Sequence, residues 1–307
     1  PDLVVVLGDR YELLSVCIAA LIHKIPVAHL HGGEATYGII DEAVRHSVSK
    51  IAVLHFPSIE GYKNRIIQLG EQPESVHVVG AIGRDNIRNM GLLSLDELSR
   101  NLGIDFRKNI ALVTYHPVTL DSHESALQQM KEVLNALLES NVVALVTMPN
   151  SDPGFSSIHN LIKQYVAEYP DKIIFKNNLG QINYLSAMRY AAMMVGNSSS
   201  GIIESASFRL PVVNIGDRQG GRCKPINVID VGCNKDEIKA AIIKSMSESF
   251  RNYITDLSNP YGDGKTADRI VNILEELDYK KTKKGIKKQF YDLIVEPPIT
   301  MNRRVLQ

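Results

Sequence analysis

Short runs rich in β-branched residues alternate along this chain with longer segments of helical period, and that alternation restricts it to parallel sheets covered by helices. In the first third the runs are "LVVVL" (3 to 7), "PVAHL" (26 to 30), "IAVLHF" (51 to 56) and "SVHVVG" (75 to 80). Between them, "YELLSVCIAALIH" keeps apolar residues on one helical face, and "LSLDELSRNLG" reads as a helix stopped by Gly103. The alternation then restarts with "NIALVTYH", "VVALVTMPN", "KIIFKN", "AAMMVGN", "PVVNIG" and "NVIDVG". Six strands complete a doubly wound sheet. The first series has only four, and its opening strand is apolar enough for a sheet centre, so an N-terminal portion is expected to be absent. The predicted fold class is α/β, with two Rossmann-like doubly wound parallel sheets facing a cleft and the first of them incomplete.

The 307 residues are 44% hydrophobic, enough to bury two domain cores, and carry 34 basic and 34 acidic side chains. That balance argues against a nucleic-acid or membrane-surface partner. Cys17, Cys223 and Cys233 lie far apart with no C-x-x-C spacing, which disfavours a disulfide framework or a zinc site and predicts a reducing, cytoplasmic setting. No apolar stretch approaches the length of a membrane span. The "KKTKKGIKK" run reads as a solvated helix face and "VEPPITMNRRVLQ" as a loose tail without a role in chemistry.

Ligands of open α/β sheets bind beyond the carboxyl ends of the strands, so polar residues there carry the functional reading. In "MMVGNSSSGIIES" an apolar strand gives way to Asn197, Ser198, Ser199, Ser200 and Gly201 before a helix begins. Free main-chain N–H groups and serine hydroxyls at such a point suit a phosphate; the same residues also serve as helix caps and turns. Glu204, about one helical turn on, is placed either to accept hydrogen bonds from ribose hydroxyls or to stand as an ordinary exposed glutamate. Asp9 and Arg10, just after the first strand, suit a base and a phosphate clamp, or an N-cap and a surface arginine.

The densest polar stretch, "HLHGGEATYGIIDEAVRH", gathers His29, His31, Glu34, Asp41, Glu42, Arg45 and His46 around a Gly-Gly turn. Asp41 reads as the N-cap that puts Arg45 and His46 on the following helix turn. No H-x-x-x-H or H-E-x-x-H spacing occurs, so no metal site is expected, and the group suits proton transfer. His116 and Asn150 end two neighbouring strands of the second series. "VNIGDRQGGR" brings Asp217, Arg218, Gln219 and Arg222 into a Gly-rich loop whose guanidinium groups could hold a pyrophosphate, or which is a flexible surface loop.

In order and spacing, "VLGDRYE", "HLHGGE", "IDEAVRHSVSK", "VTYHP", "GNSSSGIIE" and "NIGDRQGGR" resemble the hydrolysing UDP-N-acetylglucosamine 2-epimerases of bacterial sialic and legionaminic acid precursor synthesis. The resemblance covers the chain to about Tyr291. It implies a glycosyltransferase-B-like arrangement: a partial first domain over 1–100, a UDP-binding domain over 101–262, a C-terminal helix returning to the first over 263–291, and a tail over 292–307. It also implies that a strand and a substrate-contacting loop normally precede Pro1. The implied reaction is loss of the C2 proton with anti elimination of UDP to a 2-acetamidoglucal, then hydration to N-acetylmannosamine, with no cofactor.

Asp9 and Asp41 match family carboxylates of the acid/base steps, and His116 matches a histidine near the phosphates and sugar. Ser198, Ser199 and Glu204 match diphosphate and ribose contacts, and Arg218 lies in the loop that closes on the nucleotide. His31 stands where non-hydrolysing and animal enzymes carry glutamate, so His31 or Glu34 takes that role. The expected catalytic set is Asp9, His31, Glu34, Asp41 and His116. The expected substrate contacts are Arg10, Arg45, His46, Asn150, Ser198, Ser199, Ser200, Gly201, Glu204 and Arg218. Three alternatives stay open: the same chemistry on UDP-2,4-diacetamido-2,4,6-trideoxyglucose, a glycosyltransferase sharing the two-domain plan, and a nucleotide-sugar binding module or inactive fragment. The family implies a homodimer or tetramer.

Overall fold

A computed structural model describes residues 1–37, 39–117, 123–148, 155–278, 282–283 and 285–293. The first three runs form a parallel sheet, β1 (Val4–Leu7), β2 (Val27–Leu30) and β3 (Leu54–Phe56), in the order β1-β2-β3. Val6 and Val27 pack on one face against Cys17 and Ala20 of the helix Glu12–Ile22 and against Val44 and Val48 of the helix Asp41–Ile51. On the other face Ala28, Leu30, Leu54 and Phe56 meet Ile270 of the late helix Thr266–Glu275. That helix has its first amides capped from a distant part of the chain. Asp85 accepts from Thr266 N at 3.0 Å and Ala267 N at 2.6 Å, doing for a helix start what a local N-cap would do.

"SVHVVG", expected as a fourth strand, contributes only the bridge between His55 and Val76. Its His77 and Val79 amides donate to His55 and Pro57, but the chain then turns away because Ala81 N donates to Tyr261 O at 2.8 Å. A contact far along the sequence competes successfully with the sheet edge.

The second series is complete: β4 (Ile110–Thr114), β5 (Val143–Thr147), β6 (Ile173–Lys176), β7 (Met193–Gly196), β8 (Val212–Ile215) and β9 (Val228–Val231). The order is β6-β5-β4-β7-β8-β9 and every pair is parallel. Alternate residues face opposite sides of a strand, and here both sides are covered. Ala111, Val113, Ala144, Val146 and Val195 face the helices His123–Leu138, Phe155–Glu168 and Lys235–Met246, while Ile110, Leu112, Leu145 and Met194 face Leu95–Leu102 and Gly180–Tyr190. The helix Leu95–Leu102 starts in a capping box between Ser94 and Glu97 and stops, as expected, at Gly103 in the left-handed region. The chain reverses direction across the sheet between β4 and β7, and a ligand crevice forms at such a point.

The two sheets meet through Tyr62, Ala81, Ile202, Ile203 and Tyr261, which pack together. Tyr62 OH lies 3.0 Å from Tyr261 OH and accepts from Cys223 N at 2.9 Å, and Tyr261 OH donates to Cys223 O at 2.6 Å. Each buried hydroxyl thereby keeps a partner, as burial requires. Further along, Lys288 at the end of the lysine-rich run departs from the expected solvated helix face. Lys288 reaches the buried Glu71 carboxylate at 2.5 Å and the carbonyls of Lys50 and Ala52, because a carboxylate with 2% of its side chain exposed needs compensating cations. The expected tail lies outside the described residues beyond 293.

Gly196 ends β7 at φ 137°, and a Cβ there would sit 2.0 Å from Thr114 O. Gly196→Ala is therefore expected to cost more than about 3 kcal/mol in urea unfolding. Gly91→Ala, with nothing within 4 Å of its added Cβ, should stay within about 0.5 kcal/mol of wild type. Equal midpoints for the two variants would refute the account of β7.

Candidate active site

Arg45 is fully buried, so its guanidinium must find partners for every N–H within the protein. Nε donates to Asp9 Oδ2 at 3.0 Å, Nη1 to Glu34 O at 3.0 Å and Glu42 Oε2 at 2.6 Å, and Nη2 to Thr36 Oγ1 at 2.7 Å and again to Asp9. Its five donors are taken, which leaves none for a ligand. Arg45 thereby gathers the loops after β1 and β2 around the helix Asp41–Ile51.

Glu42 accepts from Thr36 N at 2.5 Å and pairs with His46 Nε2 at 3.0 Å. Burial pushes its pKa up, but the His46 and Thr36 hydrogen bonds and the Arg45 charge bring it down to about 2. His46 thus serves Glu42 from the next helix turn. Asp41 is the first residue inside the helix, not its N-cap: Ile40 holds the cap position in helical conformation without a side-chain bond. Asp41 itself is buried. Arg10 lies 3.6 Å from Glu12 and over the Tyr11 ring. His29 proves to be a core histidine, with Nε2 2.7 Å from Gly8 O and Nδ1 3.1 Å from Ser49 Oγ, and burial lowers its pKa to about 4.

His31 follows β2 with φ 63°, a left-handed conformation uncommon for a residue with a Cβ. It turns its Nδ1 to Glu34 Oε1 at 2.7 Å. The other Glu34 oxygen meets Arg222 Nη2 from the β8 loop at 2.8 Å. Burial works to raise the Glu34 pKa, yet Arg222, His31 and Arg45 together hold it at about 2. Arg222 has 9% of its side chain exposed, and its Nε and Nη1 are buried without a protein partner.

On the second sheet, Asn197 is the organising residue that sequence reasoning left inside a run of small polar residues. Fully buried, it accepts from His116 N at 2.7 Å, donates to His116 O at 2.9 Å, and offers its own carbonyl to Arg218 at 3.2 Å and Gln219 at 2.8 Å. It locks the end of β4 to the Gly-rich loop across β7. The helix expected to run through "SGIIESASF" is broken: four residues, Ser200–Ile203, are α-helical, and Ser205–Phe208 form a separate 3-10 turn. Ser199 holds the cap position without a side-chain bond, while Ser200 Oγ lies 2.6 Å from Tyr184 OH and 3.0 Å from Ser198 Oγ. Gly201 is buried where an added Cβ would come within 3.1 Å of Val212.

Glu204 falls at the break between the two turns and is half-buried, not an exposed helix residue. Its Oε2 has no partner, and burial raises its pKa to about 7 against the pull of His31 and Arg222. It can lie so close to the helix Gly83–Asn89 only because residue 83 lacks a Cβ, which would stand 2.6 Å from Glu204 Oε1. A cavity of about 370 Å³ opens beside Ser198 and Ser200, lined also by His116, Thr147, Gly180 and Tyr184 among others. Asn150 lies outside the described residues.

Among the described residues, no group of three His, Cys, Asp or Glu side chains comes together to hold a metal ion, and no helix is long and apolar enough to cross a membrane. Two hydrogen-bonded groups face one another here: Asp9, Glu34 and Glu42 gathered by Arg45, with His31 beside Glu34, and His116 and Arg218 gathered by Asn197, the Glu34–Arg222 pair joining the two sheets. Thr36, Glu42, Asn197 and Arg222 complete the site. Glu42 and Arg222 are named in their polar stretches but absent from the expected catalytic and substrate sets, and Thr36 carried no local signal.

The titrations have opposite signs. Glu34 and Glu42, lowered to about 2, contribute stability that is present above the unfolded carboxylate value near 4.3 and lost as pH falls through about 2. Glu204, raised to about 7, contributes stability that is full below about 4.3 and lost as pH rises through about 7. Urea midpoints should accordingly decline between about pH 4.3 and 7 in the wild type and decline less in Glu204→Gln. Parallel curves would show that Glu204 is not the group titrating.

The sequence matches the family described as UDP-N-acetylglucosamine 2-epimerase over residues 1–275. It is similar to the UDP-N,N'-diacetylbacillosamine 2-epimerase (hydrolyzing) of Legionella pneumophila, 41% identical over 277 residues that cover 90% of this chain and 71% of that protein. It is also similar to a polysialic acid biosynthesis protein of Escherichia coli, 39% identical over 294 residues that cover 95% of this chain and 74% of that one. In fold it resembles the UDP-GlcNAc 2-epimerase from Neisseria meningitidis bound to UDP-GlcNAc, with TM-score 0.76 and 20% identity over 90% of this chain and 77% of that structure. With the match spanning nearly the whole chain, the protein belongs to the UDP-N-acetylglucosamine 2-epimerase family.

Proposed function

We propose that this chain is a hydrolysing 2-epimerase of a UDP-linked 2-acetamido sugar. The observation that carries the reading is the 2.8 Å contact of Glu34 with Arg222, which brings proton-transfer groups of the first sheet to the anion-binding groups of the second. A C2 hydrogen is barely acidic, so its removal needs a placed base together with stabilisation of the departing diphosphate. The C2–H pair becomes the C1=C2 double bond, and the C1–O pair leaves with UDP. Water then adds its oxygen to C1 and a proton to the opposite face of C2. The balance is hydrolysis with inversion, so no electrons need a carrier. Asp9, His31 and Asp41 are the acid/base candidates. His116, Ser198, Ser199 and Arg218 hold the diphosphate, joined by the open donors of Arg222, and Glu204 holds the ribose. Asn150 is assigned to the substrate from its place in the sequence at the end of "LVTMPN".

The favoured sugar is N,N'-diacetylbacillosamine, the 2,4-diacetamido-2,4,6-trideoxy sugar, because the Legionella pneumophila relative at 41% identity carries that name. The second reading is N-acetylglucosamine, favoured by the family description and by the polysialic acid relative at 39%. The deciding experiment offers each UDP-sugar in deuterated water and follows proton NMR. Release of UDP with a 2-epimer deuterated at C2 from one substrate assigns it. UDP binding without turnover of either would replace the enzyme reading by a nucleotide-sugar binding module.

Asp9 is held by Arg45 through an oxygen that asparagine also has. Asp9→Asn should then keep the fold and UDP affinity while turnover falls by about 10²–10⁴. Near-normal turnover would remove Asp9 from the acid/base set.

A further inference from the structure

An ionised carboxylate only accepts hydrogen bonds, and a main-chain N–H only donates. His31 stands between one of each. Its Nδ1 faces Glu34 Oε1 at 2.7 Å, and Ile82 N–H points at its Nε2 at 3.4 Å. The two contacts are independent, and both fit the same neutral imidazole, with the hydrogen on Nδ1 and the lone pair on Nε2.

What keeps Glu34 able to accept is on the other sheet. Glu34 is 2% exposed, and a carboxylate buried that far without a cation takes up a proton. A protonated Glu34 could donate to Nδ1, which would drive the ring hydrogen to Nε2 and remove its lone pair. Arg222 Nη2 prevents this by holding the second Glu34 oxygen at 2.8 Å. Arg222 follows β8, whereas His31 and Glu34 follow β2, so the relay exists only where the two loops meet.

We propose that Arg222 is a positioning residue that acts through Glu34 to set the His31 tautomer, so that Nε2 is the acceptor of the substrate's C2 proton. The assignment rests on the elimination chemistry above. In that step Nε2 gives up its long 3.4 Å contact with Ile82 N–H and takes the proton, the C–H pair forms the C1=C2 bond, the C1–O pair departs with UDP, and Glu34 faces the resulting imidazolium. The logic is that of an acid that orients a catalytic histidine without itself transferring a proton. Bringing the β8 loop to the β2 loop and readying the base are one event.

The test is nitrogen NMR of the full chain labelled with ¹⁵N-histidine at about pH 8, where a neutral ring shows its tautomer. The His31 signal is identified by its loss in His31→Gln. Wild type is expected to show the Nδ1–H form. Arg222→Met should show the Nε2–H form or an average, a change that loss of a diphosphate contact alone would not produce, with turnover down about a hundredfold or more. Arg222→Lys, which returns the charge but not the fork, should restore the tautomer and part of the turnover. An Nε2–H ring in the wild type overturns the proposal without any variant, as does an Arg222→Met protein with wild-type tautomer and turnover. If Arg222→Met fails to fold, the wild-type ring and Arg222→Lys decide. Absence of wild-type turnover on both UDP-sugars would overturn the elimination reading instead, since the tautomer is read without substrate.

Discussion

A guanidinium with no exposed surface has to be paired at every N–H, and Arg45 shows what that requirement imposes on the surrounding chain. Asp9 must come from the loop after β1, the Glu34 carbonyl and Thr36 from the loop after β2, and Glu42 from the same helix. None of these loops is regular, yet each is held by charge-assisted bonds to one planar group. The proposed acid/base groups Asp9 and Glu34 therefore sit on one hydrogen-bonded frame. Glu34 in particular has its main chain fixed by Arg45 and its side chain fixed by His31 and Arg222.

The second sheet solves the same problem with a neutral residue. Asn197 uses its side-chain amide to hold both main-chain groups of His116 and its carbonyl to hold Arg218 and Gln219. The polar residues of three strand ends are placed without any charge of Asn197's own. Across the junction, the Tyr62, Tyr261 and Cys223 hydrogen bonds attach the β8 loop to the first sheet. Arg222 is the neighbour of Cys223 in the chain, so this anchor also sets where its guanidinium can reach.

Much of the architecture was legible because burial on both faces of a parallel sheet writes continuous β-branched runs into the sequence. Nine such runs became strands. "SVHVVG" has the same composition and failed, since its Ala81 end is drawn to Tyr261, a residue no local pattern connects to it. The candidate site was legible as residue types at strand ends, but not as partnerships. Arg45 looked like a substrate ligand and instead serves Asp9 and Glu42. Glu204 looked like one residue of a continuous helix, whereas the chain breaks there and turns its carboxyl toward Gly83.

The sequence by itself determined the parallel sheets, their crossover helices and the set of polar residues that end the strands, because side-chain periodicity and turn chemistry act over a few residues. Only the tertiary structure decided which of those residues are spent on one another and which face the cleft. Hydrogen bonds and ion pairs such as those of Arg45 with Asp9, Glu34 with Arg222 and Asp85 with Thr266 join positions far apart in the chain. Their strength comes from exclusion of water, and burial of that kind exists only once the two sheets have come together.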